Sequence, residues 1–121
     1  MSPISNDLAD GLDSLKQQIF DAEAALCKIP GATKVSIELA NDTETSCFLE
    51  FSGSEFQVDV FHHGTDETIE SRKLSELPVP KRIELSKLIP QFIERAIAHE
   101  AEIAKEASEA AASIQQKLAE L

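Results

Sequence analysis

Apolar side chains recur in the first part of the chain at alternating spacings of four and three residues, namely Leu8, Leu12, Leu15, Ile19, Ala22 and Leu26. This spacing places them along one stripe of an α-helix and is typical of a heptad seam that packs against another helix. Pro30 and Gly31 follow the stripe and are typical of a helix end. The pattern therefore predicts an amphipathic helix over residues 7–27.

Apolar and polar residues alternate between residues 34 and 72, which is the period of β-strands with one buried face. The apolar set is Val35, Ile37, Leu39, Cys47, Leu49, Phe51, Phe56, Val58 and Val60. Gly53 and Ser54 fit a two-residue hairpin turn with glycine at its first central position. That turn pairs Phe51 with Phe56 and puts the apolar residues of both strands on one face. We predict an antiparallel meander over residues 34–72, with three strands, or four if residues 68–72 also pair.

Helical periodicity returns at Pro80 and continues over residues 80–120. Proline suits the first turn of a helix, whereas Pro90 must kink or divide this one because it has no N–H to donate. The apolar positions after Pro90 are Ile93, Ile97, Ala104, Ala107, Ala111, Ile114, Leu118 and Leu121. Glu100 fills the one polar position of this second seam. Its stem can pack below an exposed carboxylate, or it can fix the register between two helices.

These elements predict one α+β domain over residues 1–121, with an N-terminal helix, an antiparallel meander and a long C-terminal helix kinked near Pro90. The long helix is expected to pack antiparallel on the first. Aligning the seams sets Leu26 against Ile97, Ile19 against Ala104, Leu15 against Ala107, Leu12 against Ala111 and Leu8 against Ile114. The alternative is that the seams pair between chains in a homo-oligomer, because neither helix is stable alone.

The net charge of −11 argues against direct binding of nucleic acid, because phosphate backbones are bound by lysine and arginine. An acidic surface suits a basic protein partner instead. Residues 31–71 hold nine acidic residues against one lysine, a balance of −8. We expect the polar face of the meander to be the partner-binding surface, with Glu38, Glu50 and Asp59 on the strands and Glu44 and Glu55 near the turns.

The basic residues concentrate elsewhere, because residues 72–95 hold six cations against three acids, a balance of +3. Lys81 and Arg82 lie in the first turn of a predicted helix, where the helix dipole disfavours cations. Together with Arg72 and Lys73 they suit an anion site for a phosphate-bearing small ligand. The alternative is that they form internal salt bridges with the acidic sheet.

The sequence contains no stretch of about 20 apolar residues that would span a membrane, and its start does not have the composition of a signal peptide. Cys27 and Cys47 have neither the number nor the spacing of a metal site or a disulfide scaffold. We interpret both as buried thiols in a reducing compartment and expect a cytoplasmic protein.

Catalysis is not indicated, because the chain has no glycine-rich phosphate loop, nucleophile elbow, HExxH motif or CxxC motif. His62 and His63 are adjacent near a strand end and therefore point to opposite faces, which disfavours a shared metal. His99 is interpreted as a surface position of a helix. We predict a protein that is not an enzyme, with no catalytic residues, no metal and no cofactor.

The runs 74–78 (LSELP), 82–84 (RIE) and 88–90 (LIP) precede an apolar helix, and this stretch resembles small acidic proteins encoded by phages and prophages. In such proteins a short meander is followed by a leucine-rich helix carrying a proline. The resemblance implies a small protein made in a host cytoplasm. Members with known roles include inhibitors of host defence and proteins that sequester signalling nucleotides.

From these features we expect a non-enzymatic binding protein, of the phage inhibitor type, that occludes a host protein with its acidic surface. One alternative is an oligomer that sequesters a nucleotide or other anion with the basic segment 72–95. Another is an assembly or secretion chaperone, because these are often small, acidic and dimeric.

Overall fold

The computed structural model of the chain describes residues 3–65 and 67–121, with side chains from residue 6 onward. The helices are α1 (Pro3–Leu26), α2 (Val79–Ser86) and α3 (Ile89–Ala119), and the strands are β1 (Ser36–Asn41), β2 (Thr45–Phe51), β3 (Phe56–His62) and β4 (Thr68–Lys73). Short 3-10 turns span Pro30–Lys34 and Leu74–Glu76. This order confirms the predicted α+β class. The first helix begins four residues before the predicted position 7, and Pro3 is well suited to a helix start.

The sheet is an antiparallel meander in the order β1-β2-β3-β4. The β2–β3 register pairs Phe51 with Phe56, Leu49 with Val58 and Cys47 with Val60, which confirms the predicted hairpin. Gly53 has φ of 104°, a conformation that glycine adopts without strain, and the Ser52 N–H donates to the Glu55 carbonyl at 3.0 Å to close the turn. The fourth strand is present and pairs with β3.

The core lies between one face of the sheet and the helices. Phe56 and Phe92 are fully buried, and their rings meet edge to face at a centroid distance of 5.3 Å. Phe51 contacts Phe56 in the same way at 5.7 Å. This row of rings joins the β2–β3 hairpin to the start of α3. Other buried apolar residues complete the core: Leu26, Ala32, Val35, Ile37, Leu49, Leu74, Leu85, Ile89 and Ala96.

The predicted kinked helix over residues 80–120 is divided into two helices. The α2 helix ends at Ser86, and α3 begins at Ile89 with Pro90 in its first turn. A proline is tolerated there because the first N–H groups of a helix have no intrahelical partner. Starting a new helix therefore avoids the lost hydrogen bond that a proline within a continuous helix would cause.

Among the residues that the structure describes, the predicted antiparallel pairing of the two seams does not form. Side chains of Leu15, Ile19 and Ala22 instead line one groove with Ile89 and Ile93 of α3. Gly31, beyond the end of α1, lies against the ring of His99. The contacts of α1 with α3 are therefore made near the start of α3 and not along its later part.

The physical reason is that the first turns of α3 pack against the sheet. Phe92 and Ala96 are fully buried in the core, whereas every residue from Glu100 to Leu121 is exposed. The seam residues Ile97, Ala104, Ala107, Ala111 and Ile114 therefore do not meet Leu26, Ile19, Leu15, Leu12 and Leu8. Burial of large rings against a sheet stabilises more than contacts along an alanine-rich stripe.

Cys27 is exposed rather than buried, and its thiol donates to the carbonyl of Gly53 at 3.1 Å. This contact joins the end of α1 to the hairpin turn. Within residues 3–65 and 67–121, none of the helices combines the length and apolar character needed to cross a bilayer.

Candidate functional site: the outer face of the sheet

The helices pack on one face of the sheet, and the described part of the chain leaves the opposite face uncovered. We call this the outer face. It is formed by the polar phase of the strand alternation, in cross-strand rows that the register fixes. Its members are Ser36, Glu38, Ser46, Phe48, Glu50, Gln57, Asp59, Phe61, Ser71 and Lys73.

Two phenylalanines lie in the middle of the outer face. Phe48 on β2 and Phe61 on β3 are diagonal neighbours, and their rings meet edge to face at a centroid distance of 5.8 Å. Both are half-buried. Large rings on a polar sheet face are typical of interface anchors, because they offer much apolar area at little cost in side-chain entropy. The alternation pattern did not single them out, since each occupies a position of the polar phase, two residues from polar side chains.

Three of the five predicted acidic residues lie together on the outer face. Glu38 and Asp59 are the two cross-strand neighbours of Phe48, and Glu50 follows two residues along β2. Glu38 is exposed and Glu50 is half-buried, but Asp59 is only 4% exposed. The Asp59 carboxylate accepts a hydrogen bond from the Gln57 amide at 2.8 Å. Asp59 therefore lies beneath this surface, and little of its side chain is accessible to a partner.

The other two predicted acidic residues lie at opposite ends of the sheet. Glu44 is exposed in the β1–β2 loop. Glu55 is half-buried at the β2–β3 turn, where its carboxylate pairs with the Lys73 ammonium at 3.1 Å. The predicted five-residue surface is therefore centred on Glu38 and Glu50.

Glu50 is held in a partly desolvated position beside another acid. Burial raises the pKa of the Glu50 carboxyl above its ordinary value of 4.5, and the nearby carboxylate of Asp59 raises it further. When folding raises the pKa of an acid, the folded state is less stable with that acid ionised than with it protonated. At neutral pH the protein therefore keeps a charge at Glu50 that lowers its stability.

Replacing Glu50 with glutamine is expected to raise the free energy of unfolding at pH 7, by no more than about 0.5 kcal/mol because solvent screens a half-exposed charge. The gain should disappear as the pH falls below the ordinary carboxyl value of 4.5, where Glu50 is protonated in both the folded and the unfolded state. Urea denaturation of both proteins across this pH range measures the difference. Glu38→Gln, an exposed site on the same face, is the control. A gain for Glu50→Gln that is independent of pH would contradict the assignment.

A serine and a histidine meet at the β1–β2 end of the outer face. The hydroxyl of Ser46 is 2.6 Å from Nε2 of His63. Backbone N–H groups of Thr45 and Glu44 donate to the Asp42 carboxylate and lower its pKa, so Asp42 is engaged in its own turn. We interpret the Ser46–His63 contact as a clip that joins β2 to the loop after β3. The sequence pattern did not predict this partner for His63.

The four cations predicted to bind an anion do not form one pocket. Arg72 and Lys73 are successive residues of β4 and point to opposite faces. Arg72 pairs with Glu70, Lys73 with Glu55, and Lys81 with Glu84 at 3.7 Å. The hydrogen bond to Glu55 raises the pKa of Lys73. Arg72 and Lys73 thus pair with acids of the sheet region, as in the alternative of internal salt bridges with the acidic sheet, whereas Lys81 pairs within α2.

Arg82 lines a groove between α1 and the segment that leads into α2. The groove has a volume of about 420 Å³ and also contains Asp13, Lys16, Glu23 and Glu55. Its apolar lining includes Leu12, Leu15, Ile19, Phe20 and Leu74. Acidic groups thus outnumber the cations around Arg82, which is unfavourable for an anionic ligand.

Comparison of the chain with protein-family models, with curated proteins and with solved structures finds no match.

Proposed function

We propose that this protein is a non-catalytic binding protein that occludes a basic surface of a protein partner with the outer face of its sheet. The observation that supports this proposal is the Phe48–Phe61 pair, which lies beside Glu38 and Glu50 on a face that the described chain leaves uncovered. The aromatic pair supplies apolar contact area, and the carboxylates favour lysine or arginine on the partner.

The energetics of Glu50 are in line with this role. A half-buried carboxylate beside a second acid lowers stability in the free protein, and a partner cation would offset that repulsion on binding. Residues that lower stability without a structural use are typical of binding surfaces. The surface thus combines an apolar centre with a charge that is more favourable in a complex than in the free protein.

The proposal extends the resemblance to phage-encoded inhibitors, with the host cytoplasm as the place of action. Occlusion of a basic surface would inhibit a partner that uses that surface to bind nucleic acid or another polyanion. The chaperone alternative would use the same outer face on a basic client. The nucleotide-sequestering alternative draws less support, because three of the four cations pair with carboxylates.

The test is affinity capture from a host lysate with the wild-type protein and with two variants of the outer face, Glu38→Lys/Glu50→Lys and Phe48→Thr. Captured proteins are identified by mass spectrometry and then measured one at a time by titration over a salt series. We expect a basic partner that both variants lose. Its association rate should fall steeply as salt rises, because exposed charges mainly accelerate encounter.

The matched control is Glu102→Lys/Glu106→Lys, which makes the same change in net charge on exposed positions of α3. Asp59 is left intact in all variants, because a lysine at a position only 4% exposed would unfold the protein rather than test its surface. Thermal denaturation verifies that each variant is folded. Retention of the same partners by the outer-face variants would overturn the proposal.

A further inference from the structure

The α3 helix is much longer than the body of the protein that it packs against. It has 31 residues, which correspond to about 46 Å. Its first turns are buried in the core, whereas the part from Glu100 to Leu121 is exposed along its whole length. We call residues 97–121 the projecting segment. Helices in proteins gain most of their stability from packing, so we expect this exposed segment to pack against a partner.

Most charged residues of the projecting segment lie on the side opposite to its apolar stripe, and the exceptions are Glu100 and Lys117. One stripe carries Ile97, Glu100, Ala104, Ala107, Ala111, Ile114, Leu118 and Leu121 at alternating spacings of three and four. The charged residues Glu102, Lys105, Glu106, Glu109 and Glu120 lie on the opposite side. Ile97, Ile114 and Leu118 are each more than half exposed. Aliphatic side chains at both ends of a stripe and alanines at its centre are the pattern of a coiled-coil seam.

We propose that the projecting segment pairs with the same segment of a second copy, in antiparallel orientation about a two-fold axis near Glu109. This arrangement forms four kinds of layer, each occurring twice: Ile97 with Leu121, Glu100 with Leu118, Ala104 with Ile114, and Ala107 with Ala111. Small residues meet at the centre, so the helices approach closely, and large ones meet at the ends. The seam begins where the body of one copy stops and ends against the body of the other.

Charge complementarity decides between the two possible orientations. In a parallel pair, Glu100 of one copy would face Glu100 of the other within the seam, and like charges there are unfavourable. In the antiparallel pair, Glu100 lies in the layer of Leu118 of the second copy, and Lys117 of that copy lies beside the same layer. In a single chain Glu100 and Lys117 are 17 residues apart, about 25 Å along the helix, so they meet only between copies.

A dimer of this kind extends the proposed function without depending on it. The two bodies would be at opposite ends of the paired helices, each with its own outer face. Such a protein could engage two sites at once and gain avidity. The oligomer would form in either case, because the seam and the outer face belong to different parts of the chain.

The first test measures molecular mass by light scattering over a concentration series. We expect the wild-type chain to have twice the monomer mass of 13.2 kDa. Ala107→Glu should give the monomer, because it buries a charge at the centre of the seam. Ala112→Glu adds the same charge away from the seam and should leave the dimer intact. A wild-type monomer at every concentration, or a dimer indifferent to Ala107→Glu, would overturn the proposal.

The second test exchanges the charges of Glu100 and Lys117. Glu100→Lys and Lys117→Glu should each raise the dimer dissociation constant by about tenfold or more, because each places like charges together. In the double variant, opposite charges meet again between the two copies, so the dissociation constant should return near the wild-type value. The two charges of one helix are too far apart to compensate each other. A dimer in which the double variant is no better than the single ones would exclude the antiparallel pairing. That result would instead indicate parallel helices or contact with α1 of the second copy.

Discussion

Replacing Phe92 with alanine is expected to lower the free energy of unfolding by about 3–5 kcal/mol, the range for removal of a buried phenylalanine ring. Phe92 is fully buried and contacts Phe56 edge to face at 5.3 Å. The cavity would lie where α3 meets the sheet, and this contact also determines the direction of the whole helix. Because folded domains are stable by only about 5–15 kcal/mol, the melting temperature should fall by more than about 10 °C.

Phe20→Ala is the matched control, because it removes the same ring at a position on α1 that is 65% exposed. That change should alter the free energy of unfolding by only a few tenths of a kcal/mol. Chemical denaturation of both variants measures the difference. A loss at Phe92 no larger than the loss at Phe20 would mean that α3 does not dock on the sheet through this ring.

The β2–β3 hairpin could be predicted from the sequence because two independent local signals agreed on it. Gly53 fixed the position of the turn, and the alternation of Leu49 and Phe51 with Val58 fixed the face. A shift of the strand register by one residue would have moved every apolar side chain of the shifted strand to the solvent face. The strand β4 had no such pair of signals: all its residues are exposed, and its register includes an irregularity between Val60 and Phe61 of β3.

Helix partners could not be predicted, because a seam period identifies which side of a helix is apolar and not what covers it. The match between the stripes of α1 and α3 does not include Phe92, which is fully buried against the sheet. Burial of a large ring near the start of α3 against the sheet is more favourable than packing of α3 along α1, and this burial determines where the helix docks. The stripe beyond Ile97 is then left without a partner among the described residues.

The acidic surface was predicted only in part, because the sequence pattern again shows on which face a residue lies but not what covers it. Alternation correctly put Glu38, Glu50 and Asp59 on one face, but it could not show that Asp59 is covered by its neighbours. It also could not show that Phe48 and Phe61 are diagonal neighbours, because that depends on the register between strands. Side-chain burial on a polar face follows from cross-strand packing, which is not a local property of the sequence.

Replacing Gly31 with alanine is expected to lower the free energy of unfolding by about 1–3 kcal/mol, the range for overpacking a tight site. Gly31 is buried, and a Cβ built on it would lie 2.5 Å from Cδ2 of His99. The ring would have to move, and its movement would disturb the contact between the turn Pro30–Lys34 and α3. His99 is therefore half-buried against the backbone, in contrast to the surface position that the sequence predicted for it.

The cause of this loss can be tested because the obstructing group is a side chain that can itself be removed. His99→Ala alone should lower stability modestly by deleting a ring that is only half-buried. In the double variant Gly31→Ala/His99→Ala the added methyl group no longer meets the imidazole ring, so the two losses should not add, and the coupling should be at least about 0.5 kcal/mol. Denaturant unfolding of the four proteins gives this coupling directly. Strict additivity would show that the loss at Gly31 does not come from the close approach of His99.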